Sequence, residues 1–272
     1  KIYITPKALS NIVKRETKNM KDLVEQDTEK LFAGDTEITK KISESEKTMI
    51  VGIDGGFYSK HKRRGESLEA KVINISQGAR HVSGNQYELE NRVGYATTAG
   101  GRDFKRLGYG FLVRNGVETA DNIIVVSDGE PSIKIFAQET LPNAIHVLDM
   151  FHLHQKIQTT FGVNCQGDDK IYSDSIHKYA NKYAPERMCS LLSDWKPHDQ
   201  RKARLKIQLL TYIENNAELI ENHLIVDIHG SGQIEQGVDL TISRRLKLRG
   251  MGWTRSGSSS IIKLRVLDYN KN

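Results

Sequence analysis

Cysteine is nearly absent from this chain of 272 residues: Cys165 and Cys189 are the two it has, with no C-x-x-C spacing. That is too few for a disulfide framework and makes a reducing cytoplasm the expected compartment. No stretch of about 18 apolar residues occurs, which excludes a spanning helix of ordinary length. The opening KIYITPKALS lacks an apolar core and a small-residue cleavage site, so no secretory signal is read there. Because the chain starts at Lys1 and not at Met, a missing N-terminal portion is expected. The G-x-x-x-x-G-K-[ST], G-x-S-x-G and H-E-x-x-H patterns are also absent, which removes the core residues of the common NTPase, hydrolase and zincin chemistries.

What is present supports a folded core. Hydrophobic residues make up 38% and charged residues 27%, against wholesale disorder. Lys and Arg number 40 against 34 Asp and Glu, a net charge of +6. That excess is mild, and by itself it leaves a nucleic-acid partner open.

The pattern of apolar residues divides the chain. Leu9, Ile12, Val13, Met20, Leu23, Val24 and Leu31 recur at three- and four-residue steps, the mark of amphipathic helix. A Gly34-Asp35 break and a polar stretch to Lys47 follow. This segment reads either as a solvated helical pair or as the tail of an upstream DNA-binding region. TMIVGIDGG, from Thr48, then reads as a buried strand closed by an acid and two glycines. LEAKVINIS and the segment 87–97 predict two more strands, and 101–116 a helix. NIIVVSDGE repeats the pattern of strand, acid and glycine, followed by a helix with Pro131 in its first turn and a strand AIHVLD ending on Asp149. Residues 162–222 carry helical spacing with no strand-like run, and a helix from about Ile234 precedes a basic C-terminus. The expected organisation is a helical segment 1–46, an α/β core over 47–160, a helical insertion over 161–225, and the remainder of the core over 226–272.

Two buried strands that each end in Asp-Gly, at Asp54-Gly55 and Asp128-Gly129, are the sharpest chemical feature. Carboxylates at the C-terminal edge of neighbouring strands lie where ligands bind in open α/β sheets. They repel unless a cation lies between them, which suits Mg²⁺, a hard ion that takes carboxylate oxygens. Asp-Gly is also ordinary turn chemistry, with Asp capping the loop and Gly supplying positive φ. Glu235, in G-S-G-Q-I-E, is the candidate third carboxylate, although an acid in a first helical turn also serves the helix dipole. Two metal ions held by three acids can drive in-line phosphoryl displacement. The run I-H-V-L-D-M-F-H-L-H-Q carries His146, Asp149, His152 and His154. Asp149 and His152 stand three apart, able to share a helix face near the acidic centre. A zinc reading with Cys165 matches no familiar spacing. Arg244, Arg245, Lys247, Arg249, Arg255, Lys263 and Arg265 could neutralise phosphates, with Trp253 stacking on a base or packing in the core.

Acids on the first and fourth strands and a third on a late helix resemble the ribonuclease H-like fold of DDE-type transposases and retroviral integrases. V-V-S-D-G-E-P-S-I-K, L-P-N-A-I-H-V-L-D-M-F-H-L and G-Q-I-E…S-R-R-L-K-L-R-G-M-G-W-T-R-S-G are similar to bacterial insertion-sequence transposases of the ISLre type. The likeness runs from about residue 45 to the end, in two specific blocks, 122–157 and 230–266. It implies a mixed five-stranded sheet flanked by helices, with a helical insertion before the last catalytic helix and a helical N-terminal extension. It implies a triad of Asp54, Asp128 and Glu235 binding two Mg²⁺ or Mn²⁺ ions, and a D-x-x-H element at Asp149 and His152. Whether Asp149 and not Asp128 is the second acid stays open. The implied activity is two-metal phosphodiester hydrolysis and strand transfer on double-stranded DNA, both transposon ends and target. A homodimer or larger assembly on DNA, a nucleoid-associated cytoplasmic location and no membrane partner go with it. An inactive DNA-binding remnant and a standalone nuclease are the alternatives. The chain departs from that family in its short N-terminus, in F-Y-S-K-H-K-R-R-G after the first acid, and in its short insertion.

Overall fold

A computed structural model describes residues 5–19, 23–34, 48–61, 65–77, 79–83, 86–89, 91–226 and 237–271. The chain is α/β, built on a mixed five-stranded sheet flanked by helices. Its strands are β1 (Thr48–Ser59), β2 (Ser67–Ser76), β5 (Val93–Thr97), β6 (Asn122–Ser127) and β7 (Ile145–Leu148), in the spatial order β5-β2-β1-β6-β7. β1 runs antiparallel to β2 and parallel to β6, and β6 runs parallel to β7. A separate two-stranded ribbon joins β3 (Ala79–Ser83) and β4 (Gln86–Leu89). The single strand expected over 87–97 is therefore split into β4 and β5. Asn91, at φ +50°, turns the chain between them, a conformation that strand backbone does not adopt.

The sheet buries both faces, which is why β1 and β6 read as nearly unbroken apolar runs. On one face Met49, Val51, Ile53, Ile73 and Val125 pack under α3 (Gly101–Arg114) and α4 (Pro131–Thr140), with Phe104, Phe111 and Phe136 filling the layer. The helix α2 (Leu23–Phe32) adds Val24 and Leu31 to this layer, and Arg114 pairs with Asp27 to tie it down. The helix α1 (Pro6–Asn19) precedes it, and residues 20–22 and the polar stretch 35–47 lie outside the described residues. On the other face Tyr58, Val72 and Ala96 meet Val238, Ile242 and Leu246, and Ile262 of α10 (Arg255–Tyr269). Here Asp239–Ser243 forms a π-helical turn that runs into the short helix Arg244–Leu246.

After β7, as far as residue 224, helices joined by short loops follow one another without a strand: α5 (Met150–Phe161), α6 (Gly167–Ala180), α7 (Pro185–Asp194), α8 (Gln200–Asn215) and α9 (Ala217–Glu221). These helices enclose a second core of Leu153, Ile157, Phe161, Ile176, Met188 and Trp195. Local signals start them where they start. Asp149 caps α5 by accepting from Phe151 N at 3.0 Å, Asp199 caps α8 by accepting from Lys202 N at 2.7 Å, and Pro131 occupies the first turn of α4. Asn222 and His223, just after α9, bond the carbonyls of His146 and Leu148 and so cover the edge strand β7. No helix among the described residues is long and apolar enough to cross a membrane.

Candidate active site

The strand register brings three acids into line. Ile53 pairs with Ser127, and Ser127 with Leu148. Asp54, Asp128 and Asp149 each follow the last of these paired positions, at one level of three adjacent parallel strands. Neighbouring strands lie about 4.8 Å apart, so side chains at one level can share a ligand. Asp54 is 7% exposed and Asp149 fully buried, while Asp128 is half-buried.

Each carboxylate is held by its own local backbone. Asp54 Oδ1 accepts from Gly55 N at 2.6 Å, and Asp128 Oδ1 accepts from Glu130 N at 2.8 Å. Asp149 caps α5, and its own N–H donates to Ser127 O at 2.6 Å, extending the ladder by one step. Because α5 starts at Asp149, His152 swings back over the strand ends. Its Nε2 lies 3.9 Å from Asp54 Oδ2, buried and without a hydrogen-bond partner. The D-x-x-H spacing therefore links the third strand to the first.

The loop after Asp128 is clamped from two sides by residues whose importance is not legible from local sequence. From β2, Lys71 reaches Glu130 Oε2 at 2.9 Å, Glu69 Oε1 at 3.0 Å and Ser132 Oγ at 3.2 Å. Burial works to raise the Glu130 pKa, but the Lys71 bond, with Ser132, outweighs it and holds the carboxyl below its usual range. For Lys71, burial is likewise outweighed by Glu130 and Glu69, which raise the ammonium pKa. From α8, Tyr212 donates its hydroxyl to Asp128 O at 2.8 Å. Burial, then the charges of Asp128 and Asp149, push the phenol pKa up and keep it a protonated donor. Asn216 bonds Tyr212 O through Nδ2 at 2.8 Å and presses its Oδ1 on Gly129. Gly129 has φ +79°, and a Cβ there would meet Asn216 Oδ1 at 2.2 Å. No other residue fits that turn without movement.

The remaining residues of interest are scattered. Glu235 lies outside the described residues. His146 bonds Ser127 Oγ at 2.8 Å, and burial, with nearby Lys134, lowers its pKa to about 4. His154 stacks on His177 of α6, with Nδ1 atoms 2.8 Å apart, and Cys165 packs on the helical core. Among the described residues no three His, Cys, Asp or Glu side chains form a group that could hold a metal. Asp54 and Asp128 offer hard oxygen donors of the type Mg²⁺ takes, and no Lys or Arg among the described residues pairs with Asp128. The donor chemistry of these two carboxylates suits such an ion.

The basic residues of the C-terminus also separate. Arg245, Lys247 and Arg249 are exposed, and Arg244 pairs with Asp239 at 2.6 Å. Arg255 donates to Thr98 O at 2.7 Å, Arg265 Nε to Leu240 O at 2.8 Å, and Lys263 Nζ lies 3.7 Å from Glu25. Trp253 packs against the Tyr58–Ile262 core, with its indole N–H on Leu246 O at 3.1 Å. Its backbone is bonded to β1 and the following loop, Trp253 N to Ser59 O and His61 N to Trp253 O, both 2.9 Å. Gly252 lets that strand-like segment approach, since a Cβ would stand 3.1 Å from His61 Cα. This assigns a structural role to the G-M-G-W segment.

A family model described as an uncharacterised protein family, UPF0236, matches residues 10–271. The chain belongs to UPF0236. The curated relatives are UPF0236 proteins of Caldanaerobacter subterraneus subsp. tengcongensis. One is 25% identical over 246 residues, covering 87% of this chain and 50% of the relative. Two more are 24% identical over 246 residues, covering 87% of this chain and 50% and 48% of the relatives. The chain thus spans about half the length of these UPF0236 proteins. The name of the first joins eleven locus designations, those of the others four and two. These findings correct the reading of the motifs as ISLre-type DDE transposase. The family shown is UPF0236, and neither its description nor the relatives' names mention a transposase.

Proposed function

We propose that this UPF0236 chain is the catalytic part of an enzyme that cuts and joins DNA strands by divalent-metal-dependent phosphodiester chemistry. The observation that carries this reading is the in-register placement of Asp54, Asp128 and Asp149 at the C-terminal edge of β1, β6 and β7. The order β5-β2-β1-β6-β7, with β2 antiparallel, supports a ribonuclease H-like sheet. The multi-locus names of the relatives support it independently: one sequence at many genomic positions is what an element that copies itself leaves behind.

Asp54 and Asp128 would hold Mg²⁺ or Mn²⁺, with Glu235 as the expected third ligand. The ions would supply charge neutralisation at the attacking and leaving oxygens. The chain's own contribution is alignment. Lys71 and Tyr212 fix the Asp128 loop, and Asp149, by starting α5, aims His152 at Asp54. His152 Nε2, 3.9 Å from Asp54 Oδ2, would orient a substrate oxygen or take its proton. The substrates are the ends of the element and target DNA, bound by a dimer or larger assembly, with the basic C-terminal residues along the DNA.

The test is Mn²⁺-dependent nicking of supercoiled plasmid, followed by joining of labelled ends, with Mn²⁺ binding read by calorimetry. Asp54→Asn, Asp128→Asn and Glu235→Gln should each lower nicking by at least about 100-fold with folding intact. Asp149→Asn, compared with Asp128→Asn, decides which is the second acid. Nicking without joining means a nuclease, and no Mn²⁺ binding by the wild-type chain means an inactive remnant. Either outcome removes the strand-transfer reading.

A further inference from the structure

Beside Asp128 a cavity of about 530 Å³ opens between the Asp128–Pro131 loop and the helical layer. That volume is in the range of small-molecule and nucleotide sites. Its far wall is made by one face of α5, where Gln155 and Lys156 stand three and four residues after His152, and by Tyr212, Asn215 and Asn216 at the end of α8. Lys134 of α4 closes the side.

The two lysines are unusual in what they touch. Lys134 Nζ donates to the backbone carbonyl of Asn215 at 2.5 Å, and Lys156 Nζ lies over the Tyr212 ring, 4.5 Å from its centroid. Among the described residues neither forms an ion pair with a carboxylate. Burial lowers the Lys134 pKa, with Glu218 partly offsetting it. Two ammonium groups in a concave wall, with Glu218 near Lys134 and Glu130 held by Lys71 but neither acid in an ion pair with these lysines, raise the local potential for an anion. The acids line the opposite end at Asp128. A ligand spanning the cavity therefore meets the Asp128 and Glu130 carboxylates at one end and ammonium groups at the other.

We infer that this wall is a phosphate-binding subsite for nucleic acid, in which Lys134 and Lys156 hold the phosphate of a nucleotide flanking the scissile bond. The inference rests on the strand-cleavage reading for what lies at the acidic end, and its chemistry is that of a DNA phosphodiester. It gives the helical layer a function: α5 and α8 place the strand while the sheet carries the acids.

The probe is a fluorescein-labelled 12-nucleotide single strand, its binding followed by anisotropy in EDTA so that no metal contributes. Each phosphate contact adds about 0.7 to the slope of log K against log salt for single strands. Lys156→Gln should lower that slope by about 0.7 and weaken binding about fourfold at 0.15 M salt. Lys134→Gln should act the same way. Because Lys134 also bonds Asn215 O, the exposed Lys156 decides the matter if Lys134→Gln lowers stability. An unchanged slope for Lys156→Gln overturns the subsite. So does an equal fall for Lys170→Gln, an exposed lysine of α6, which would mean general charge only. Displacement of the strand by inorganic phosphate at equal concentration would mean a free-anion site, and also overturns it. Failure of the cleavage reading shows instead as absent Mn²⁺ binding or as nicking by Asp128→Asn, neither of which the EDTA assay reads.

Discussion

Lowering the pH from 7.5 to 5.0 should destabilise the protein through His146. The imidazole is partly buried at the β6–β7 pair with Nε2 on Ser127 Oγ, and burial, then the Lys134 charge, lowers its pKa from 6.5 to about 4. The unfolded chain then binds more protons than the folded one between those two values. Stability is present in full above about 6.5 and is lost as pH falls through the window towards about 4. At 1.36 kcal/mol per pH unit the complete loss is about 3 kcal/mol, and about 2 kcal/mol of it is reached by pH 5.0. Burial lowers His154, His177 and His223 as well, so they push the same way and a variant is needed to isolate His146. Urea unfolding followed by circular dichroism, on the wild type and His146→Gln, gives the comparison. The wild type should lose about 2 kcal/mol more than the variant between the two pH values. Parallel losses, agreeing within about 0.5 kcal/mol, would refute the reasoning. A ring that titrates near 6.5 by NMR would refute it as well.

Two further substitutions probe the loop and the C-terminus. Gly129→Ala puts a side chain at φ +79° and against Asn216, so it should cost about 3 kcal/mol in urea unfolding; a cost below about 1 kcal/mol would mean the turn relaxes freely. Trp253→Phe leaves Leu246 O without the indole donor and should cost about 1–3 kcal/mol, with DNA affinity within about twofold of wild type. A large loss of affinity at unchanged stability would instead make Trp253 a base-stacking residue.

Two acids of the site are legible in the chain because their signals are local. An apolar run bounded by Asp-Gly predicts a buried strand that stops at an acid, and β6 ends on Ser127 with Asp128 next. Asp54 differs, since β1 continues past it to Ser59 to pair with β2, and only the parallel pairing with β6 stops there. Asp149 and His152 are visible as a helix start with a partner three residues on, yet no spacing predicts that His152 faces Asp54, 98 positions earlier in the numbering. Trp253 amid basic residues suggests a DNA contact as readily as a core residue, because amphipathic side chains serve both.

By itself the sequence determined most local elements: the strand runs within 48–56, 68–76, 122–127 and 145–148, the helix starts at Pro131 and after Asp149, and that residues 162–222 carry no strand. Turn chemistry, capping and hydrophobic period act over a few residues and need nothing else. The tertiary structure alone decided that Asp54, Asp128 and Asp149 share one level, and that Lys71 and Tyr212 brace the loop between them. It also set Lys134 and Lys156 on one wall of the cavity. Lys71 is separated from Glu130 by 59 positions and Tyr212 from Asp128 by 84. Contacts of that span are selected by strand register and by how the helical layer packs on the sheet, and neither leaves a periodic trace in the chain.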